Sequence, residues 1–254
     1  MIAEIVNLIF VLALLAGVPA LSMVTARRPQ IREAPRRALY LSAAVSQWLL
    51  ALSGVGVVLV TLGSFRAIGF RAPGLTPFVR WTLLLTAVAS VILLLSLLLV
   101  RRGWWPAESE LVHLLLPETR AEKVWCVLVL APTAALCEEF LYRGYLLFQV
   151  SDWTHSSFRA SAVSSAAFGL AHTYQGLSGM LRAAALGALL AYPVVRLGSI
   201  GPSVAAHFLI DAIALVWLGP KILVPASGSR AETVNNGSGG IASGETGDKS
   251  DGQR

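Results

Sequence analysis

Long apolar segments determine what this chain can fold into. Of its 254 residues, 56% are hydrophobic and 13% are charged, whereas soluble domains carry about 25% charged residues. A stretch of about 20 apolar residues crosses the hydrocarbon core of a bilayer as one helix. We therefore predict an all-α, polytopic transmembrane helix bundle of about seven helices. The predicted spans are approximately residues 4–24, 39–63, 80–100, 123–148, 158–174, 179–197 and 199–218.

The chain divides into three parts. Residues 1–121 hold the first three apolar segments and then an interfacial segment with the paired Trp104 and Trp105, which suit the headgroup level of a bilayer. Residues 122–218 hold the remaining helices, which are richer in Ala, Gly and Ser and are expected to pack closely in the interior. Residues 219–254 carry few large apolar groups, so we predict a disordered tail.

Basic residues are concentrated in the loops that follow the first and third apolar segments. Lys and Arg mark cytoplasmic loops, which places the N-terminus outside and the C-terminal tail in the cytoplasm. The net charge of +6 is explained in this way, so no nucleic-acid partner is expected. Arginine far outnumbers lysine, and we predict an integral protein of a bacterial plasma membrane, with the lipid bilayer as its surroundings.

The run from Glu138 to Arg143 places charge inside the fourth apolar segment, where charge is costly and usually functional. On a helix, residues four apart share a face, so Glu139 and Arg143 can form an intrahelical ion pair. A purely structural role for that pair is equally compatible with the spacing. Glu138 is turned by about 100° from Glu139 and is free to face other groups. As an extra buried carboxylate, it needs a partner of its own.

Three further polar groups interrupt the last apolar segments. His172 lies four residues after Phe168 on the same helix face, where a single histidine is more often a packing or interfacial residue. His207 and Asp211 are also four residues apart, so the carboxylate can hydrogen-bond the imidazole and fix its tautomer. A buried polar pair that bridges two helices is the simpler interpretation of that spacing.

Glutamate, histidine and aspartate side chains at comparable depths suit hydrolysis. Glu138 can deprotonate a water that His172 helps to position, and His207 can donate to the developing oxyanion. The alternative is a divalent metal such as zinc, bound by Glu138, His172 and His207, that activates the water. The residues leave both mechanisms open, and neither requires a further cofactor.

Three motifs carry the polar residues in order along consecutive apolar segments: Glu138-Glu139-x-x-x-Arg143, Phe168-x-x-x-His172 and His207-x-x-x-Asp211. Together they resemble the motifs of the CPBP family, the CAAX-protease and bacteriocin-processing (Abi) intramembrane proteases, which include type II CAAX prenyl endopeptidases. The resemblance covers residues from about 120 to 218, and residues 1–120 do not share it.

The resemblance implies a helical membrane bundle with a polar cavity, in which residues 122–218 form the catalytic core. Glu138 corresponds to the catalytic glutamate, which shares water activation with His172. Glu139 and Arg143 correspond to residues that support this site. A metallopeptidase and a glutamic-type peptidase are both compatible with this set.

His207 and Asp211 resemble the pair that stabilises the oxyanion in the family. Many members have asparagine at the second position. Aspartate cannot donate a hydrogen bond unless it is protonated. The expected role of Asp211 is therefore to orient or charge His207 rather than to contact the oxyanion.

The predicted function is intramembrane endopeptidase activity on a membrane protein or peptide, at a bond near the membrane. Family members differ in their substrates, and a bacterial membrane makes a prenylated substrate a weaker expectation than an unmodified one. Two other classes fit the sequence. One is a non-catalytic membrane scaffold or bacteriocin-immunity protein with a vestigial site, and the other is a proton-coupled transporter, because carboxylate–histidine sets also relay protons.

Overall fold

The computed structural model describes residues 1–219, and every regular element in this range is a helix. This result confirms the predicted all-α bundle. Except for Gly219, the predicted disordered tail lies outside the described residues. The helices are α1 (Ile2–Ala26), α2 (Gln30–Glu33), α3 (Arg36–Thr61), α4 (Leu75–Arg101), α5 (Glu110–Leu115), α6 (Arg120–Thr154), α7 (Ser157–Ala171), α8 (Thr173–Leu197) and α9 (Gly201–Leu218).

Six of these helices are long and apolar enough to cross a membrane, namely α1, α3, α4, α6, α8 and α9. The remaining predicted span, 158–174, corresponds to α7, which has 15 residues. At about 1.5 Å per residue it is roughly 22 Å long, which is shorter than a hydrocarbon core of about 30 Å. The helix begins after Ser156, whose hydroxyl accepts from the Arg159 backbone N–H, and its last residue is Ala171, directly before His172.

Helix α6 is the central element of the bundle. Half of its most apolar window is buried, against 22% to 33% for the other five spans. It packs against α3, α7 and α9. From Glu139 to Leu146 the helix widens into π-helical turns, and all eight residues of this segment are buried. Such wide turns occur frequently at functional sites, and here they contain the charged residues of the first motif.

Helices α7 and α8 approach each other closely because α7 carries a glycine at the contact. A Cβ atom on Gly169 would lie 2.8 Å from the Met180 carbonyl oxygen and 2.8 Å from the Ala184 Cβ. The predicted close packing of small residues is therefore present between these two helices. Because Gly169 lies three residues before His172, this contact also sets the position of the histidine at the end of α7.

We expect Gly169→Ala to destabilise the protein by about 1–3 kcal/mol, the usual cost of overpacking. The added methyl meets a backbone oxygen that cannot move without displacing α8. Denaturant unfolding in lipid bicelles measures the change. Gly56→Ala in α3 is the matched control, since a Cβ there has no neighbour within 4 Å. An equal loss of stability in both variants would contradict the explanation.

Candidate active site

The adjacent carboxylates of α6 face different surroundings. The Glu139 side chain is fully buried, whereas the Glu138 side chain is 14% exposed. Glu138 lines a cavity of about 250 Å³ inside the bundle, and Glu139 lies behind the cavity wall. The turn of about 100° between successive helical residues separates the two side chains in this way.

Glu139 binds two partners through one oxygen. Its Oε1 accepts a hydrogen bond from Nη1 of Arg143 at 2.9 Å, which is the predicted intrahelical ion pair. Nδ1 of His207 lies 2.7 Å from the same oxygen. A carboxylate oxygen accepts, so Nδ1 of His207 carries the proton and Nε2 points away from Glu139. The pair from α6 thus also fixes the imidazole of α9.

The Arg143 side chain contacts an aromatic ring in addition to its ion pair with Glu139. Its guanidinium lies over the Phe168 ring, with 4.0 Å between the central carbon and the ring centroid. Such a contact is attractive, and more so where water is excluded. Gly187 of α8 leaves room for this group, because a Cβ there would lie 3.1 Å from Nη2 of Arg143. Helices α6, α7 and α8 therefore meet at the arginine.

His172 is oriented by the backbone of its own helix. Its Nδ1 lies 2.8 Å from the Phe168 carbonyl oxygen, which can only accept, so Nδ1 is the donor. In the neutral ring Nε2 is then an unprotonated acceptor. This atom lies 4.0 Å from Oε2 of Glu138. The four-residue spacing in Phe168-x-x-x-His172 is explained by this hydrogen bond and by the packing of the two rings, whose centroids are 4.5 Å apart.

Glu138 uses its two oxygens differently. Oε1 accepts a hydrogen bond of 2.7 Å from Nε2 of Gln47, a residue of α3. Oε2 has no hydrogen-bond partner among residues 1–219. It lies 4.0 Å from Nε2 of His172 and 3.8 Å from Nε2 of His207. One carboxylate oxygen is thus anchored, and the other faces two imidazole nitrogens.

Asp211 lies next to His207 but does not make its closest contact. Its Oδ2 is 3.7 Å from Nε2 of His207, beyond hydrogen-bonding distance. The sequence predicts that Asp211 orients the imidazole; in the structure Glu139 makes the short bond, to Nδ1. The imidazole ring of His207 is oriented with its Nδ1 toward the buried carboxylate of Glu139. Asp211 therefore faces the cavity beside Nε2.

The cavity brings four of the six predicted site residues together, and the other two support it from behind. Polar groups line one part of the cavity, and leucines form most of its apolar lining. The polar groups include Gln47, Glu138, His172, Tyr174, Arg182, His207 and Asp211, and the apolar groups include Leu93, Leu97, Leu186 and Leu190.

The predicted zinc set does not fit a metal ion in the described structure. Within residues 1–219 no group of three or more His, Cys, Asp or Glu side chains is arranged to hold one. We therefore derive no step through a metal.

A second buried ion pair lies at the edge of the cavity. Arg182 of α8 is bound by Glu108, with 2.5 Å between Nη1 and Oε1, and Ser178 donates to the same oxygen. This pair anchors the non-helical segment between α4 and α5. Ser109 adds a hydrogen bond of 2.6 Å to the Tyr174 carbonyl oxygen.

The site contains residues that the motifs did not indicate. Gln47, Glu108 and Arg182 lie in or beside it, and Gln47 directly contacts Glu138. For Gln47 and Arg182 the sequence contains a weak indication, because both are polar residues inside predicted apolar spans. Glu108 carries no such signal, because it lies in a polar loop.

A comparison with family models matches residues 120–213 to the type II CAAX prenyl endopeptidase Rce1-like family. The comparisons with curated proteins and with solved structures gave no match. The matched segment contains α6, α7, α8 and most of α9, and hence all three motifs. It agrees with the resemblance that the motifs carry. Over residues 120–213 this multi-pass membrane protein is therefore similar to the type II CAAX prenyl endopeptidase Rce1-like family.

Proposed function

We propose that this protein is an intramembrane endopeptidase in which Glu138 activates the hydrolytic water. One observation carries the proposal: Oε2 of Glu138, without a hydrogen-bond partner among the described residues, faces Nε2 of His172 and Nε2 of His207 at 4.0 and 3.8 Å. A water bonded to the carboxylate and to one imidazole nitrogen spans such a separation. The match of residues 120–213 to a protease family model supports the same conclusion.

The proposed reaction begins with proton transfer from this water to Glu138. His172 accepts the second hydrogen of the water through Nε2 and so holds its oxygen toward the substrate carbonyl carbon. The new C–O bond produces a tetrahedral oxyanion. Protonated Glu138 then donates its proton to the amide nitrogen, the C–N bond breaks, and an amine and a carboxylic acid leave.

His207 and Asp211 act on the oxyanion in this proposal. Nδ1 of His207 is fixed on Glu139, so Nε2 is the atom presented to the cavity. A proton on Nε2 contacts the oxyanion and stabilises it. Asp211, 3.7 Å from that nitrogen, favours the proton there by its negative charge and makes no contact with the oxyanion itself.

The substrate is proposed to be a membrane protein or peptide that enters the cavity from the bilayer. Comparison of membrane-peptide fragments between cells with the wild-type protein and cells with Glu138→Gln identifies it without prior assumption. Purified protein then cleaves that peptide in H₂¹⁸O, and one ¹⁸O atom is expected in the new carboxyl group. Fragment patterns that do not depend on Glu138 would favour the scaffold alternative instead.

Chelation is expected to leave the activity unchanged within about twofold, because the donors are not arranged as metal ligands. The measurement is kcat after dialysis against a strong zinc chelator, together with metal analysis of the purified protein. A chelator-induced loss that zinc restores would overturn this part of the proposal and would reassign Glu138, His172 and His207 as ligands.

A further inference from the structure

The contact between Gln47 and Glu138 joins the two halves of the chain at the reacting group. Gln47 lies in the middle of α3, far from the segment 120–213 that matches the family. Its Nε2 donates to Oε1 of Glu138 at 2.7 Å, across 91 positions of sequence. Ala43 and Tyr40 lie on the same face of α3 and also line the cavity. Helix α3 therefore forms a wall of the site.

We infer that Gln47 is a positioning residue for the catalytic carboxylate, an inference that rests on the proposed function. The terminal torsion of a glutamate side chain is broad, so an unrestrained carboxylate rotates freely. The amide of Gln47 holds Oε1 and thereby leaves Oε2 as the oxygen that faces the two histidines. A hydrogen bond from a neutral amide also leaves the carboxylate able to take a proton.

The buried amide oxygen of Gln47 supports a functional role over simple packing. Its Oε1 is buried and has no hydrogen-bond partner in the described part of the chain. A buried acceptor left unpaired is destabilising, so an apolar residue of similar size suits a purely structural position better. The sequence keeps a polar group here at a cost in stability, and the only hydrogen bond that its side chain makes within residues 1–219 is to Glu138.

The packing of α3 on α6 does not depend on Gln47 alone. The adjacent Trp48 donates from its indole Nε1 to Oγ1 of Thr133 at 3.2 Å, and this bond links the same two helices. A variant of Gln47 can therefore lose its hydrogen bond while the helices keep their register. Trp48→Phe is the matched control, because it removes an interhelical hydrogen bond one residue away without touching Glu138.

The experiment measures kcat and KM for Gln47→Met, Trp48→Phe, Glu138→Gln and wild-type protein with the peptide that the wild type cleaves. Methionine has nearly the length of glutamine and no donor. We expect Gln47→Met to lower kcat by about 10- to 100-fold, the range for a lost hydrogen bond to a charged group, with KM within about twofold. Trp48→Phe should keep the wild-type kcat.

A double variant tests whether Gln47 acts through Glu138. Glu138→Asp shortens the side chain by one methylene and withdraws the carboxylate from the amide. In that background Gln47→Met should change kcat by less than about twofold, since two residues that act as a unit are not additive. A full, additive loss would show an independent role and would overturn the inference.

The catalytic role of Glu138 and the positioning role of Gln47 can be disproved separately. If Glu138→Gln cleaves as fast as wild type, the proposed function is wrong and the inference fails with it. If Glu138→Gln is inactive but Gln47→Met keeps the wild-type kcat, only the role of Gln47 is wrong. Equal losses in Gln47→Met and Trp48→Phe, with matching losses of folded protein, would make Gln47 a packing residue.

Discussion

Replacement of Glu138 by glutamine is expected to lower kcat for peptide hydrolysis by about 10²- to 10⁴-fold, the contribution of a positioned general base. Glutamine has nearly the same shape and can still meet Gln47 and the cavity wall, but its amide cannot take a proton from water. Because the substitution removes the chemistry and keeps the volume, KM should change little. The measurement is steady-state cleavage of the identified peptide by purified protein in lipid.

Glu110→Gln is the control for this loss. Glu110 is an exposed carboxylate of α5 that pairs with Arg32, and 76% of its side chain is accessible. Its removal should leave kcat at the wild-type value. Unfolding curves of both variants should match the wild type within about 1 kcal/mol. A Glu138→Gln protein that is folded and keeps more than about a tenth of the wild-type kcat would remove Glu138 from the role of base.

Local spacing was sufficient to predict part of the site. The i, i+4 interval predicted the pair of Glu139 with Arg143, because both residues lie on one helix and the geometry is set by that helix alone. The separation of Glu138 from Glu139 followed from the same periodicity. The comparable depths of the polar groups permitted one cluster, and the family resemblance predicted a polar cavity; Glu138, His172, His207 and Asp211 do line one cavity.

Residue spacing along one helix does not predict which residues of different helices make contact. His207 and Asp211 have the same spacing as Glu139 and Arg143, yet the short bond of His207 goes to Glu139 on another helix. The rotation of α9 against α6 decides this, and rotation depends on packing over the whole interface. The donor to Glu138 was missed for a similar reason: Gln47 reaches it across the bundle, from a helix with no recognisable motif.

Helix lengths also departed from the simple apolar count. The span predicted at 158–174 corresponds to α7, a helix of 15 residues. It is shorter than predicted at its C-terminal end, because the backbone leaves helical geometry at His172. The same departure turns the imidazole toward Glu138. The deviation from a regular span and the geometry of the site therefore have one origin, the end of α7.

Arg143→Met should produce the largest loss of stability, about 3–5 kcal/mol. The substitution leaves the Glu139 carboxylate fully buried, with His207 as its one remaining hydrogen-bonding partner within residues 1–219. Removing one member of a buried pair is strongly destabilising because the other charge stays desolvated. The double variant Glu139→Gln, Arg143→Met removes both charges, so its free energy of unfolding should lie closer to the wild type than that of Arg143→Met.

Arg36→Met is the control for the burial argument. Arg36 also pairs with a glutamate, at 2.5 Å, but 69% of the Glu118 side chain is exposed. Exposed pairs contribute about 0–1 kcal/mol, so this variant should unfold nearly as the wild type does. Denaturant unfolding in bicelles compares the variants. Two outcomes would contradict this explanation: a loss of unfolding free energy in Arg143→Met no larger than in Arg36→Met, or a double variant less stable than Arg143→Met alone. In either case Arg143 does not stabilise the protein by neutralising the buried charge of Glu139, and its contribution is packing alone.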